Sequence, residues 1–117
     1  MAAVDAGEHS YATGLIRHLC VANQPHTRFL GLMGRSRLEA GEALLIKPCS
    51  SIHTFFMRFP IDVVFVDKGS RVVKIAESVK PWRFLLGGKG AHAVLELPSG
   101  ALASTDLKVG DHLDLAA

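Results

Sequence analysis

Long apolar runs and an excess of either charge are missing from this chain, and each absence excludes a class of protein. No uninterrupted apolar stretch approaches the ~20 residues that a membrane-spanning helix needs. Thirteen Lys and Arg against eleven Asp and Glu give a net charge of +2, too even for a basic nucleic-acid footprint. We therefore expect neither a membrane nor a nucleic-acid partner.

Cysteine is also scarce, since the chain holds only Cys20 and Cys49. Their spacing fits no zinc or redox motif. Both lie in apolar runs, where a free cysteine behaves as a small hydrophobe, and a disulfide would require their strands to be neighbours. The sequence predicts no cofactor.

The N-terminal segment 1–14 carries Asp5 and Glu8 and lacks a basic stretch followed by an apolar one. It therefore does not match a secretory signal, and the expected compartment is the cytoplasm. With 117 residues, 49% of them hydrophobic, the chain suits one domain with a real core. We predict a flexible lead at 1–12 and a single β-rich domain at 13–117.

Short apolar stretches separated by turn residues dominate the rest of the chain. Such spacing, without a long helical pattern, is typical of all-β domains. One short helical turn, 28–33, is expected after an N-cap at Thr27. The predicted fold class is mainly β (β-rich α+β): a small single-domain antiparallel β-barrel or sandwich with one or two short helical turns. The predicted strands are 13–21, 43–47, 61–66, 71–80, 92–97 and 112–115.

The stretch His53–Val66 is the centre of this pattern, and Pro60 divides it. Residues 61–66 are apolar on both faces, which predicts a central strand that is covered on both sides. A hairpin turn follows at 67–70, where Gly69 can adopt a positive φ. The segment 81–91, with three glycines beside Trp82 and Phe84, reads as an irregular mobile loop.

Five motifs follow one another along the chain. They are Gly31-Leu32-Met33-Gly34-Arg35, Phe56-Met57-Arg58-Phe59-Pro60-Ile61-Asp62-Val63-Val64-Phe65, Val79-Lys80-Pro81-Trp82-Arg83, Val94-Leu95-Glu96-Leu97-Pro98-Ser99-Gly100 and Leu107-Lys108-Val109-Gly110-Asp111. In this order they resemble a bacterial and archaeal family, the domain of unknown function number one hundred and ninety-two. The resemblance covers about three quarters of the chain and implies a compact β-rich single domain. It implies no reaction, because the family has no established activity.

Polar and aromatic side chains concentrate in these motif loops, which favours a binding cleft at one end of the barrel. Trp82 could stack on a sugar ring or base while Arg83 holds an anionic group. The main hypothesis is a noncatalytic module for a small polar or anionic ligand or a peptide. The candidate binding residues are His53, Thr54, Met57, Arg58, Asp62, Trp82, Arg83 and Glu96.

Two other functions remain open from the sequence. Asp62 and Glu96 could form a carboxylate pair in a hydrolase or isomerase if their strands are neighbours. Each could instead accept hydrogen bonds from turn backbone or pair with Arg58 or His53. An adaptor that binds proteins through a sheet edge or the 81–91 loop is the third hypothesis. No catalytic residue, metal site or oligomeric state is predicted.

Overall fold

Nine short β-strands and one 3₁₀ helix form the described part of the chain, residues 4–5, 18–22, 38–55 and 57–115, in a computed structural model. The predicted mainly β fold is confirmed. The strands are β1 (Val4–Asp5), β2 (His18–Ala22), β3 (Glu42–Ile46), β4 (Ser51–His53), β5 (Ile61–Val66), β6 (Val72–Val79), β7 (Phe84–Leu86), β8 (Ala93–Pro98) and β9 (Asp114–Leu115), and the 3₁₀ helix is Ala101–Ser104.

The main sheet has five strands in the order β2-β3-β8-β5-β6. All neighbours in it are antiparallel except β2 and β3, which run parallel. Two smaller antiparallel sheets, β4-β7 and β1-β9, complete the described strands. The β4-β7 sheet positions most of the candidate site.

Strand β5 is the central element, as the sequence predicts. All six of its residues are buried, and it lies between β6 and β8. Successive side chains of a strand point to opposite faces, so β5 and β8 contribute to two cores. The Leu95 core, on one face, includes Val64, Val66 and Leu102, whereas the Phe65 core, on the other, includes Val63 and Ile52.

The β4-β7 sheet covers the Phe65 core. Ile52 of β4 is buried in this core, and Leu85 of β7 packs against it. Gly87, just after β7, lies so close that an added Cβ would be 2.5 Å from Phe65 Cδ1. The segment 81–91, predicted to be irregular, therefore contains a strand that packs on the main sheet.

The turn between β5 and β6 forms at 67–70, as predicted, with Ser70 N–H donating to Asp67 O at 3.0 Å. The residue with positive φ is Ser70, at 65°, rather than Gly69. Asp67 Oδ1 accepts the N–H groups of Gly69 and Arg71, which stabilises the turn from within. Register shifts between β5 and β6 also place Val73 and Ile75 against different cores, whereas strict alternation predicts a shared face.

Several predictions fall outside the described residues: the start of the first strand at 13–17, the helical turn at 28–33 and most of the 1–12 lead. The domain boundary stays a prediction. The Cys49 thiol donates through Sγ to Ser51 O at 2.9 Å. Among the described residues, the structure has no helix with the length and apolarity required to cross a membrane.

Candidate functional site

Thr54 joins the end of β4 to the segment before β7. Its Oγ1 donates to Lys80 O at 2.7 Å and accepts from Arg83 N–H at 2.8 Å. Its backbone N–H donates to Arg83 O, and its carbonyl accepts from Trp82 N–H at 3.0 Å. The side chain is buried, so these hydrogen bonds form away from water. Thr54 thus acts as a positioning residue for Trp82 and Arg83.

Three aromatic rings lie in a row at this end of β4. The Phe55 ring centroid is 4.9 Å from that of His53 and 5.7 Å from that of Trp82. The Phe55 and Trp82 planes differ by 24°, which is a stacked arrangement within the usual range for aromatic pairs. We call His53, Phe55 and Trp82 the aromatic row.

The aromatic row is open to solvent. Trp82 is 57% exposed and Phe55 is 36% exposed, although both are large apolar side chains. Phe84, 59% exposed, extends the apolar surface onto the outer face of β7. Exposed aromatic surface that is already ordered is typical of binding sites.

Trp82 also adopts a backbone conformation that is unusual for a bulky residue, with φ at 66°. Such a conformation costs on the order of 1–3 kcal/mol and persists only where surrounding contacts hold it. The contacts here are the Trp82 N–H bond to Thr54 O and the stack on Phe55. The fold therefore fixes an exposed indole in a strained position.

Basic residues lie close to the aromatic row along the chain. The segments 43–61 and 78–95, which supply the row and the β4-β7 sheet, contain no acidic residue. Arg58, Lys80 and Arg83 are exposed, and each lies within three residues of Phe55 or Trp82 in sequence. These three charges therefore favour an anion near the row. The basic residues of the two segments are Lys47, Arg58, Lys80, Arg83 and Lys89.

Asp62 does not belong to this surface. Its side chain is fully buried, and its carboxylate accepts three backbone N–H groups. Oδ1 accepts from Ser78 at 2.8 Å, and Oδ2 accepts from Gly100 at 3.1 Å and from Leu102 at 2.9 Å. Of the alternatives left open from the sequence, the structure shows the one in which turn backbone satisfies the carboxylate. Asp62 holds β6 and the 3₁₀ helix onto β5.

The proposed Asp62–Glu96 carboxylate pair is wrong. The strands are neighbours, as that hypothesis required, but Asp62 lies opposite Leu97 and Glu96 lies opposite Val63. This offset of one residue places the two carboxylates on opposite faces of the sheet. Asp62 contacts the Leu102 side, whereas Glu96 follows Val94 on the Phe65 side.

Glu96 is buried among apolar strands, and loss of hydration raises its pKa to about 7. The ordinary pKa of a glutamate side chain is 4.5, so the folded protein holds this proton more tightly than the unfolded chain does. Leu44 of β3 and Val63 of β5 lie beside it in the sheet. Glu96 is thus a buried protonatable group within the main sheet.

The other candidate residues divide between surface and core. His53 is half-buried, and its Nδ1 accepts from Phe55 N–H at 3.2 Å. Arg58 is exposed, whereas Met57 is buried in the Phe65 core and does not line a surface cleft. Within the described part of the chain, no three His, Cys, Asp or Glu side chains group closely enough to hold a metal ion.

Phe55 and Phe84 were not among the binding residues predicted from the sequence. A signal for both was present: two segments without acidic residues, each with aromatic residues next to a basic one. The pairing of His53 with Phe84 across β4 and β7 turns these segments into one surface. Local patterns do not reveal that pairing, because β4 and β7 have only three residues each.

We expect Thr54→Val to destabilise the fold by about 2 kcal/mol, because the isosteric side chain leaves Lys80 O and Arg83 N–H without their buried partner. Urea unfolding monitored by Trp82 fluorescence measures the change. Thr54→Ser, which keeps the hydroxyl, is the matched control and should cost less than half as much. Equal costs for the two variants would contradict the positioning role.

Comparison with known proteins gives relatives without a known function. A UPF0127 protein of Thermococcus sibiricus is 38% identical over 98 residues, which cover 80% of this chain and 63% of the relative. A UPF0127 protein of Pyrococcus furiosus is 35% identical over 92 residues, which cover 74% of this chain and 77% of the relative. The chain thus spans less than two thirds of the Thermococcus protein.

Two crystal structures share the fold. A protein of unknown function from Novosphingobium aromaticivorans matches with a TM-score of 0.75 and 26% identity, over 82% of this chain and 73% of that one. A putative transcription regulator from Sinorhizobium meliloti matches with a TM-score of 0.77 and 22% identity, over 84% and 81%. At this identity the second match shows the fold alone.

A family profile described as "Uncharacterized ACR" matches residues 9–115, nearly the whole chain. It is the profile of the family that the five sequence motifs resemble. The archaeal relatives and the shared fold agree with this match. The chain therefore belongs to the family of domain of unknown function 192.

Proposed function

We propose that this protein is a noncatalytic binding module, and that its site is the aromatic row with the neighbouring arginines. The ligand is a small anionic molecule with a flat ring, such as a nucleotide. The observation that carries the proposal is the exposed indole of Trp82, which is held at a positive φ and stacked on Phe55.

The row suits a flat ring because its stacking surface is already assembled. The Phe55 and Trp82 rings already stack on each other, so little side-chain entropy remains to be lost on binding. A base that stacks on such a surface contributes roughly 1–3 kcal/mol. The strain at Trp82 supports the same conclusion, because strained residues concentrate at ligand sites.

The charge around the row favours an anion. Arg83 follows Trp82 directly, and Arg58 lies three residues after Phe55 along the chain. Neither guanidinium forms an ion pair with a described residue, so both can bind a phosphate or carboxylate, often with two hydrogen bonds. The absence of acidic residues from 43–61 and 78–95 removes local competition for these groups.

The noncatalytic part of the proposal follows from where the two candidate carboxylates lie. Asp62 is engaged by three backbone N–H groups, and Glu96 is buried on the other face of the sheet. Both side chains are buried, whereas Phe55 and Trp82 of the aromatic row are exposed. General acid–base catalysis by this pair would need both groups within reach of one substrate.

Fluorescence tests the proposal directly, because Trp82 is the only tryptophan. Excitation at the red edge of the indole band avoids absorption by nucleotides. We expect AMP to quench Trp82 fluorescence saturably, adenosine to do so more weakly, and inorganic phosphate to leave it unchanged. Arg83→Gln should weaken AMP binding about tenfold, which corresponds to about 1.4 kcal/mol.

Lys108→Gln is the matched control, since it removes one positive charge outside the two segments. Lys108 is exposed, and its contact with Asp111 is long, at 3.9 Å, so its loss should barely affect stability. No saturable quenching by AMP would contradict the proposal. If Arg83→Gln and Lys108→Gln weakened AMP binding equally, the loss would reflect the net charge of the protein rather than a contact with Arg83. That result would also contradict the proposal.

An adaptor function is the second candidate, and the outer face of β7 favours it. Phe84 and Leu86 are 59% and 61% exposed there, on a strand that pairs only with β4 among the described strands. The basic surroundings would select an acidic peptide. Saturable binding of acidic aromatic peptides, together with no response to AMP, would favour the adaptor over the nucleotide module.

A further inference from the structure

A small cavity lies at the other end of β5 from the aromatic row. Thr54, between His53 and Phe55 of the row, bonds to Lys80, and Lys80 directly follows Val79, which pairs with Ile61 at the start of β5. The cavity is lined by Val66, at the end of β5. Six strand residues span ~20 Å, so the two places are distinct. The cavity has a volume of about 150 Å³, too small for a drug-sized ligand but roomy for a tetrahedral oxyanion.

Three segments meet at this cavity. Lys47 follows β3, Lys68 and Ser70 belong to the turn between β5 and β6, and His92 directly precedes β8. The backbone of His92 is fixed on both sides. Its N–H donates to Val66 O at 2.8 Å, and its carbonyl accepts from Cys49 N–H at 2.6 Å. The polar side chains therefore converge on a rigid backbone frame.

Two lysine side chains of the cavity can bind an anion. Neither Lys47 nor Lys68 forms an ion pair with any residue that the structure describes. The only carboxylate in the lining, Asp67, uses Oδ1 to accept the N–H groups of Gly69 and Arg71, each at 2.9 Å. That oxygen is committed to its own turn. Two ammonium groups, an imidazole and the Ser70 hydroxyl remain to bind a ligand.

His92 also borders two wider grooves. One, of about 440 Å³, runs between the 67–69 turn and Gly90, and the other, of about 380 Å³, runs along 48–51. A ligand whose charged end occupies the small cavity can therefore extend its body along the surface. A buried single-ion site would lack such openings.

We propose that the cavity of Lys47, Lys68, Ser70 and His92 binds a phosphate-type oxyanion, either inorganic phosphate or the phosphate of a monoester. Two ammonium groups supply charge, and the hydroxyl and imidazole supply directed hydrogen bonds. This site is independent of the aromatic row. Binding at one of them neither requires nor excludes binding at the other.

The test is an NMR titration of the ¹⁵N-labelled full chain with inorganic phosphate, at constant ionic strength maintained with sodium chloride. The amides of Lys68, Ser70 and His92 should shift saturably, while the Trp82 indole resonance stays in place. Lys47→Gln and Lys68→Gln should each weaken binding about fivefold, and the double variant more than twentyfold. Lys108→Gln removes one positive charge that does not line the cavity and should leave the affinity unchanged.

A second titration with glycerol phosphate distinguishes the two sources of the oxyanion. Tighter binding than that of phosphate, with new shifts along 48–51 or at Gly90, identifies a phosphate ester that extends into a groove. Equal affinity, without those shifts, identifies free phosphate. Shifts that do not saturate, or equal losses in Lys68→Gln and Lys108→Gln, would overturn the proposal. Lys68 and Lys108 are exposed and Lys47 is half-buried, so the variants should remain folded.

Discussion

Asp62→Ala is expected to destabilise the protein by about 4 kcal/mol, one of the largest effects of a single substitution in this fold. The variant leaves the N–H groups of Ser78, Gly100 and Leu102 without their shared acceptor. The Asp62 side chain is fully buried, so its removal leaves these groups without a partner inside the fold. Urea unfolding at neutral pH measures the loss.

Asp62→Asn removes hydrogen-bond acceptors while it keeps the shape of the side chain. The amide retains one acceptor oxygen, but its NH₂ group faces either the Ser78 N–H or the N–H groups of Gly100 and Leu102. We therefore expect the free energy of unfolding to fall by about 2 kcal/mol. Asp106→Asn, at an exposed position, is the matched control and should change stability by less than about 0.5 kcal/mol. If Asp62→Ala cost no more than Asp106→Asn, the account of Asp62 would be wrong.

Glu96→Gln is expected to stabilise the protein at pH 8 by up to about 3 kcal/mol relative to the wild type. Burial raises the pKa of Glu96 to about 7, so the folded protein holds this proton more tightly than the unfolded chain, whose carboxyl titrates near 4.5. The stability of the wild type therefore falls as the pH rises from about 4.5, and this loss levels off above about 7. Glutamine keeps the shape and cannot ionise.

The measurement is urea unfolding of both proteins between pH 4.5 and pH 8. The difference in free energy of unfolding between the variant and the wild type should be near zero at pH 4.5 and should grow through the window. Glu77→Gln, at an exposed position on β6, should show no such growth. A difference that stays constant with pH would show that Glu96 is ionised without penalty in the fold.

Composition and local pattern were sufficient to predict the scaffold. The run 61–66 is apolar at every position except Asp62, which correctly predicts a central strand covered on both sides. The Asp-Lys-Gly-Ser sequence likewise predicts the turn that follows, because an aspartate at the first turn position accepts the N–H two residues on. These features depend on neighbours in sequence, where residue type determines the outcome.

Register between distant strands could not be predicted in this way. The carboxylate pair required Asp62 to share a face with Glu96, and the observed pairing of Asp62 with Leu97 places them on opposite faces. A shift of one residue in the pairing of β5 with β8 would place the two carboxylates on the same face. Both strands are so uniformly apolar that their sequence pattern does not select one register. Within the predicted turn, the positive φ is at Ser70 rather than at Gly69, which the glycine alone did not reveal.

The candidate site was predicted in part. His53, Thr54, Trp82 and Arg83 do lie together, although nearly 30 residues separate the two pairs, because Thr54 bonds directly to Arg83. Met57, Asp62 and Glu96 are in the core instead. Phe55 completes the aromatic row through a ring contact that depends on the β4-β7 pairing, which no local pattern contains.

The indole N–H resonance of Trp82 gives the most direct test of the proposed function, because a chain with one tryptophan shows one such signal. In a titration of the ¹⁵N-labelled protein with AMP, this resonance and the Arg83 amide should move together and saturate at the same concentration. The amides around Asp62 should remain in place, since that carboxylate is structural. A stationary Trp82 indole resonance, while other signals shift, would contradict the aromatic row as the ligand site.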